Sequence, residues 1–194
     1  MENTSEYIIE KIAPVFNKQG YIGTSLSDLT AATKLTKGAL YCNFLNKDEL
    51  ALRSFKYNLK NAIYPLYETI KKQKGCIEKL YTITDYYRNY YELWKDKGGC
   101  PLLNVGIDSK FNNSALFEES KIESSKIINS LSKIIQNGID KNEIKNNINP
   151  NSYARNIYSM IEGASFLSFT HDNKVYLDDI LNYIDTSIIA NIKA

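Results

Sequence analysis

Between Ser25 and Leu50 the chain writes three helix starts in close succession, and a polypeptide punctuated this tightly has few folds open to it. The first is Ser25-Leu26-Ser27-Asp28, in which the serine hydroxyl can take a free backbone N–H and the aspartate can reach back to the cap. Ala31-Ala32-Thr33-Lys34-Leu35 closes that helix, and Thr36 is placed to cap the next. The turn between them has the length of a helix-turn-helix. Leu26 and Leu29 share one face, and Leu40 and Phe44 stand four apart on the second helix, giving each a buried stripe. Asn46-Lys47-Asp48-Glu49 repeats the device, an Asn cap with Glu three residues on, so a longer helix should begin there. Upstream, Ile8, Ile9, Ile12, Ala13 and Phe16 form an apolar stripe that ends at Gln19-Gly20. The segment Thr36-Lys37-Gly38 opens its helix with donors and almost no side-chain bulk, which suits approach to phosphate and points to a DNA-reading helix.

From Ile9 to Leu52 these residues resemble the TetR family of bacterial transcriptional regulators. The resemblance is carried by Phe16, Gly20-Tyr21, Thr24-Ser25, Asp28-Leu29, Ala32, Thr36-Lys37-Gly38, Leu40-Tyr41, Phe44 and Lys47. Leu45 stands where the family usually has Pro, and Cys42-Asn43 where His or Tyr is common. The resemblance implies a three-helix DNA-binding domain at residues 1–46 and a helical ligand-binding and dimerisation domain at 47–194. It also assigns roles. Lys37 and Lys47 would hold backbone phosphates, helped by the amide at Gly38. Thr24, Ser25 and Thr36 would cap helices, contact phosphate, or do both through one hydroxyl. Tyr41 would either pack as a half-buried ring or extend its hydroxyl to a phosphate. Asn43 would read a base edge, since an amide can pair two-pronged with adenine, or else simply end its helix.

Composition is compatible with that reading without forcing it. The net charge is +2, with eight Lys and Arg against six Asp and Glu in residues 1–60 and sixteen against sixteen beyond. Several of those early acids fall at helix starts, so the field at the reading helix is expected to be more positive than the sum. Cys42, Cys76 and Cys100 are scattered and form no CxxC, which fits a reducing compartment and argues against zinc. No signal peptide or membrane-length apolar run is read, so the expected location is the cytoplasm. No metal-ligand cluster or phosphate-binding glycine loop is present, and the single histidine, His171, has no spacing logic with a nucleophile. Neither an enzyme nor a resident cofactor is expected.

Beyond residue 60 the pattern stays helical and strand alternation is absent. Breaks fall at Lys74-Gly75, Lys97-Gly98-Gly99, Asn112-Asn113, Gln136 to Asn151 and Thr170 to Lys174. About nine helices and an all-α fold follow. Leu80, Ile83, Tyr87, Tyr91 and Trp94 recur at helical steps, as do Ile122, Ile127, Ile128, Leu131, Ile134 and Ile135. Asn149-Pro150 reads as a cap followed by Pro at the first helical position.

The last two helices carry more apolar residues than one face needs, so part of them should cover a second chain. The looser resemblance of this half to the family implies a homodimer, with Tyr153, Ile157, Ile161, Ala164, Leu181, Ile184 and Ile188 at its interface. Two copies would then meet a pseudo-palindromic double-stranded operator. Fifteen tyrosines crowd the middle of the chain. Tyr87, Tyr91, Trp94, Phe111 and Phe166 are the candidates for binding a small effector of unidentified structure.

Gly99-Cys100-Pro101 resembles a segment through which some family members sense electrophiles or oxidants, and Cys100 is the candidate for that role. A small buried apolar residue is the alternative. The function expected is a ligand- or stress-responsive regulator of the repressor type. A helical dimer that binds no DNA is the reading from another class.

Overall fold

A computed structural model describes residues 4–194, and among these every regular element is helical apart from one isolated bridge, Ile144 to Lys193. The α-helices are α1 Thr4–Gly23, α2 Leu26–Thr33, α3 Lys37–Tyr41, α4 Lys47–Lys72, α5 Cys76–Arg88, α6 Tyr90–Trp94, α7 Pro101–Asp108, α8 Ser114–Asp140, α9 Pro150–Thr170, α10 Val175–Tyr183 and α11 Ala190–Ile192. Two of these, α6 and α11, are one-turn pieces beyond the nine expected, and a π-helical stretch at Ile184–Ile189 joins α10 to α11. The break read at Gln136 starts later, because α8 runs on to Asp140. No helix among the described residues is long and apolar enough to cross a membrane.

Contacts divide the chain into two compact units. One holds residues up to 63 together with 96–122, and the other holds 64–95 with 123–194. Helices α4 and α8 therefore each contribute to both.

In the first unit, Ile8, Ile12 and Ala13 of α1 are wholly buried, as are Leu29, Leu40 and Leu50 from the next three helices. Gly20 bends α1 at φ 73°, ψ 177°, a backbone region essentially reserved for glycine. An added Cβ there would lie 2.9 Å from the Asp108 carboxylate, and that same carboxylate accepts the Tyr21 N–H at 2.6 Å. Helix α7 is tied to α1 by two amides. Asn17 Nδ2 donates to the carbonyls of Lys97 (2.7 Å) and Gly99 (2.9 Å), while Asn104 Nδ2 donates to those of Gly98 (2.7 Å) and Asn17 (3.0 Å). The glycine break thus folds its own backbone against α1.

The second unit is built on apolar burial. Leu80, Ile135, Ile144, Ile161, Leu177, Leu181 and Ile184 are almost wholly enclosed. Asn149 caps α9 by accepting the Ser152 N–H at 2.9 Å, with Pro150 next. Arg88 pairs with Asp185 at the start of the π-helical stretch and donates to Asn182 Oδ1 at 2.9 Å. Glu143 accepts the Cys76 N–H at the start of α5.

Candidate DNA-reading interface

The reading helix is fixed by local chemistry on either side of a short turn. The Ser25 hydroxyl accepts the Asp28 N–H at 3.2 Å, and the Asp28 carboxylate returns to the Ser25 N–H at 2.7 Å, closing the capping box the sequence implies. The Ser25 hydroxyl also donates to Asp28 at 2.6 Å, and these bonds hold the Asp28 carboxyl below its ordinary pKa, the hydroxyl contributing most. At the other end of α2, Lys34 takes the left-handed conformation (φ 57°) that ends the helix. Thr33 donates to the Leu29 carbonyl at 2.8 Å and accepts the Leu35 N–H at 3.3 Å, which sets the turn.

Thr36 then caps α3 by accepting the Ala39 N–H at 3.2 Å. Leu40 is wholly buried and anchors the helix, while Thr36, Lys37 and Gly38 at its start are exposed. Neither Lys34 nor Lys37 pairs with a carboxylate among the described residues. Gly38 has ordinary backbone geometry, and a Cβ built on it meets nothing closer than Thr36 Oγ1 at 3.9 Å. The fold itself gives no reason for glycine there. Tyr41 is half-buried beside this face.

Two of the eight expected DNA-binding residues are engaged inside the protein. Thr24 is wholly buried and its hydroxyl donates to the Gly20 carbonyl at 2.6 Å, so it stabilises the α1 bend. Asn43 donates to the Ala39 carbonyl at 3.0 Å and accepts the Ser5 hydroxyl at 3.2 Å, which closes α3 against α1. The Asn46 cap forms, with Glu49 N–H donating to it at 2.9 Å, but the Glu49 carboxylate reaches Leu45 N–H (2.8 Å) rather than the cap residue. Lys47 opens α4 with its ammonium 4.6 Å from the centre of the Tyr21 ring. Tyr21, Asp48, Asp108 and Asn113 form a bonded cluster behind Lys47 that sequence reasoning missed. The only signal was the Gly20-Tyr21 pair in the family pattern, which does not disclose partners so distant along the chain.

The effector candidates are only partly assembled. Tyr87, Tyr91 and Trp94 are buried together with Tyr90 beside the half-buried Phe169, with ring centres 5.0 Å apart for Tyr87–Tyr90, 5.5 Å for Tyr91–Phe169 and 6.2 Å for Tyr90–Trp94. Phe166 lies on the outer side of α9, half exposed, and Phe111 belongs to the other unit and is 89% exposed. In the first unit a cavity of about 20 Å³ is lined by Asn17, Asn58, Asn104, Asp108 and Ser109 among others, and by none of these aromatics. A void of that size accommodates a water rather than an effector.

The residues assigned to a partner chain mostly face inward. Ile157, Ile161, Ala164, Leu181 and Ile184 are enclosed in the protomer's own core, while Tyr153 and Ile188 are half-buried. Their side chains already have apolar neighbours within one chain, so the outward rows of α9 and α10 are a different set: Ser159, Gly163, Phe166 and Leu167, with Val175, Asp179 and Tyr183. Cys100 is in no disulfide, stands at the start of α7 and is 4% exposed, so an oxidant would meet a covered sulfur. Among the described residues no three His, Cys, Asp or Glu side chains gather as a metal site.

Comparison with known proteins bears on the same two regions. Residues 8–53 match the family model described as bacterial regulatory proteins, tetR family, and residues 76–184 match one described as tetracyclin repressor-like, C-terminal domain. The crystal structure of a TetR-family transcriptional regulator from Cytophaga hutchinsonii is 33% identical, with 98% of this chain and 95% of that one covered at a TM-score of 0.90. A TetR regulator from Chloroflexus aurantiacus J-10-FL is 29% identical, covering 98% and 96% at a TM-score of 0.92. Among curated proteins, the HTH-type transcriptional repressor DhaR of Mycobacterium sp. (strain GP1) is 21% identical over 95% of this chain and 91% of its own length.

Proposed function

This chain belongs to the TetR family of bacterial transcriptional regulators and is thus a DNA-binding regulator rather than an enzyme, and we propose that it is a homodimeric repressor released from a pseudo-palindromic operator by a small effector. The observation that carries the proposal is the exposed start of α3. Thr36, Lys37 and Gly38 are exposed at the start of a helix anchored by the buried Leu40, and the protein's own packing does not require the glycine. Lys37 and Lys47 contact backbone phosphates, with Ser25, Thr36 and Tyr41 at the edges of the same surface. Thr24 and Asn43 support it from within.

Reading DNA is assigned to residues 1–46, and effector binding and pairing to 47–194. Two chains pair through the outward rows of α9 and α10, where Phe166, Leu167, Val175 and Tyr183 supply apolar area and Gly163 allows close approach. The effector engages the aromatic group of Tyr87, Tyr91 and Trp94, displacing packed rings to make room. Helix α4, continuous from Lys47 to Lys72, transmits the change. Coupling of about 1–3 kcal/mol would alter operator affinity roughly 5- to 150-fold. The DhaR relative, a repressor by name, supports the repressor assignment, and a regulator of bacterial transcription would act in the cytoplasm.

The test is selection of bound duplexes from a random pool, followed by anisotropy titrations on the selected site at several salt concentrations. Lys37→Ala should weaken binding to every sequence and lower the salt slope by about one. An unchanged slope, or a chain that sediments as a monomer when bound, would overturn the proposal.

A further inference from the structure

Tyr21 is engaged at three points, and one of them is a cation that the proposed function puts on DNA. Its N–H donates to Asp108 Oδ2 at 2.6 Å. Its hydroxyl donates to Asp48 Oδ1, which also accepts from Asn113 Nδ2 at 3.0 Å. Its ring faces the Lys47 ammonium at 4.6 Å. With the backbone fixed on α7 at one end and the phenol tip fixed on α4 at the other, the ring has little freedom to turn. The bond to Asp48, followed by partial burial, raises the phenol pKa, so the hydroxyl remains a donor.

The arrangement also determines what Lys47 does not bind. Asp48, its neighbour in sequence, is occupied by Tyr21 and Asn113, and no carboxylate among the described residues pairs with Lys47. An ion pair would have to be broken before the ammonium could meet a phosphate. An aromatic face attracts the cation while leaving N–H donors free to point outward, and it removes rotamer freedom before DNA arrives.

We propose that Tyr21 is a positioning residue for operator binding: its ring seats the Lys47 ammonium for a backbone phosphate, and Asp48, Asp108 and Asn113 hold the ring in place. The inference rests on the phosphate role of Lys47 proposed above.

The test uses the full-length protein and the selected duplex, with salt slopes measured for Lys47→Ala, Tyr21→Leu, the double variant and Tyr21→Phe. Lys47→Ala should lower the slope by about one. Tyr21→Leu should lower it by a similar amount, the double variant should add nothing further, and Tyr21→Phe, which keeps the ring and the backbone bond to Asp108 but loses the hydroxyl bond to Asp48, should fall between wild type and Tyr21→Leu. A normal slope in Tyr21→Leu beside a lowered one in Lys47→Ala, or a Tyr21→Phe slope as low as that of Tyr21→Leu, would overturn the positioning role and leave the phosphate contact standing. A normal slope in Lys47→Ala would remove the contact itself and this inference with it. A readout that needs no folded variant is the Lys47 side-chain NMR signal in the wild-type protein free of DNA. Ring-current displacement of its ε-methylene supports the seat, and a random-coil position overturns it.

Discussion

Asn17 and Leu181 are both buried, and they secure their units by different means. Asn17 holds the first unit through directed bonds to two named carbonyls, those of Lys97 and Gly99, and Tyr21, Asn58 and Asn104 add similar latches. Leu181 is wholly enclosed with Ile161, Leu177 and Ile184, in a unit whose core is apolar and which also carries polar bonds such as Arg88 to Asp185 and Ser132 to Asn151. Directed bonds specify one arrangement and can be released one at a time. Apolar area gives most of the stability and is indifferent to which atoms meet. A regulator needs both, a switchable region and a region that stays folded while it switches.

The comparison breaks first at Leu181. Truncation to Ala should cost about 2–5 kcal/mol by chemical denaturation, with hydrogen exchange accelerating in α9 and α10. A cost below about 1 kcal/mol would mean that apolar burial is not what holds this unit. Asn17→Ala comes next, at about 1–3 kcal/mol, because it leaves two carbonyls without their amide donor. Exchange should rise at the Gly98–Gly99 turn and in α7 while α9 stays protected. Equal acceleration in both helices would erase the distinction between the units.

The same contrast explains what could be read in advance. Ser25, Thr36, Asn46 and Asn149 announce their helices because a cap bonds within three residues of itself, and all four do so. The Asn17–Asn104 clasp and the Tyr21–Asp108 bond join positions far apart in sequence, and nothing local marks them. On α9 and α10 periodicity shows that two faces are apolar but not which one is turned inward. The richer row, with Ile157, Ile161, Leu181 and Ile184, went to the protomer's own core. For the DNA-reading surface, spacing located the exposed start of α3, whereas the internal bonding of Thr24 and Asn43 depends on the Gly20 bend and on the approach of Ser5. The π-helical stretch at Ile184–Ile189 had no announcing residue at all.

The smallest effects should come from the cap of α2, where the polar latching of the first unit is most exposed. Ser25→Ala should cost about 1 kcal/mol, the usual loss for a serine cap. The same bond can be followed by pH. The Ser25 hydroxyl, and after it the Ser25 amide, hold the Asp28 carboxyl below its ordinary value in the folded protein. A depressed folded pKa means that the contribution is fully present above the unfolded value and is lost as pH falls through the folded one. Acidification should therefore leave this cap untouched from neutrality down to the ordinary aspartate range and weaken it only below. In Ser25→Ala the main cause of the depression is gone, so the Asp28 carboxyl carbon should titrate at a higher midpoint by NMR, and wild type and variant should converge in stability as both become protonated. Identical Asp28 midpoints in the two proteins would show that solvent, and not Ser25, sets that carboxylate, and the capping bond would then lose its place among the latches of the first unit.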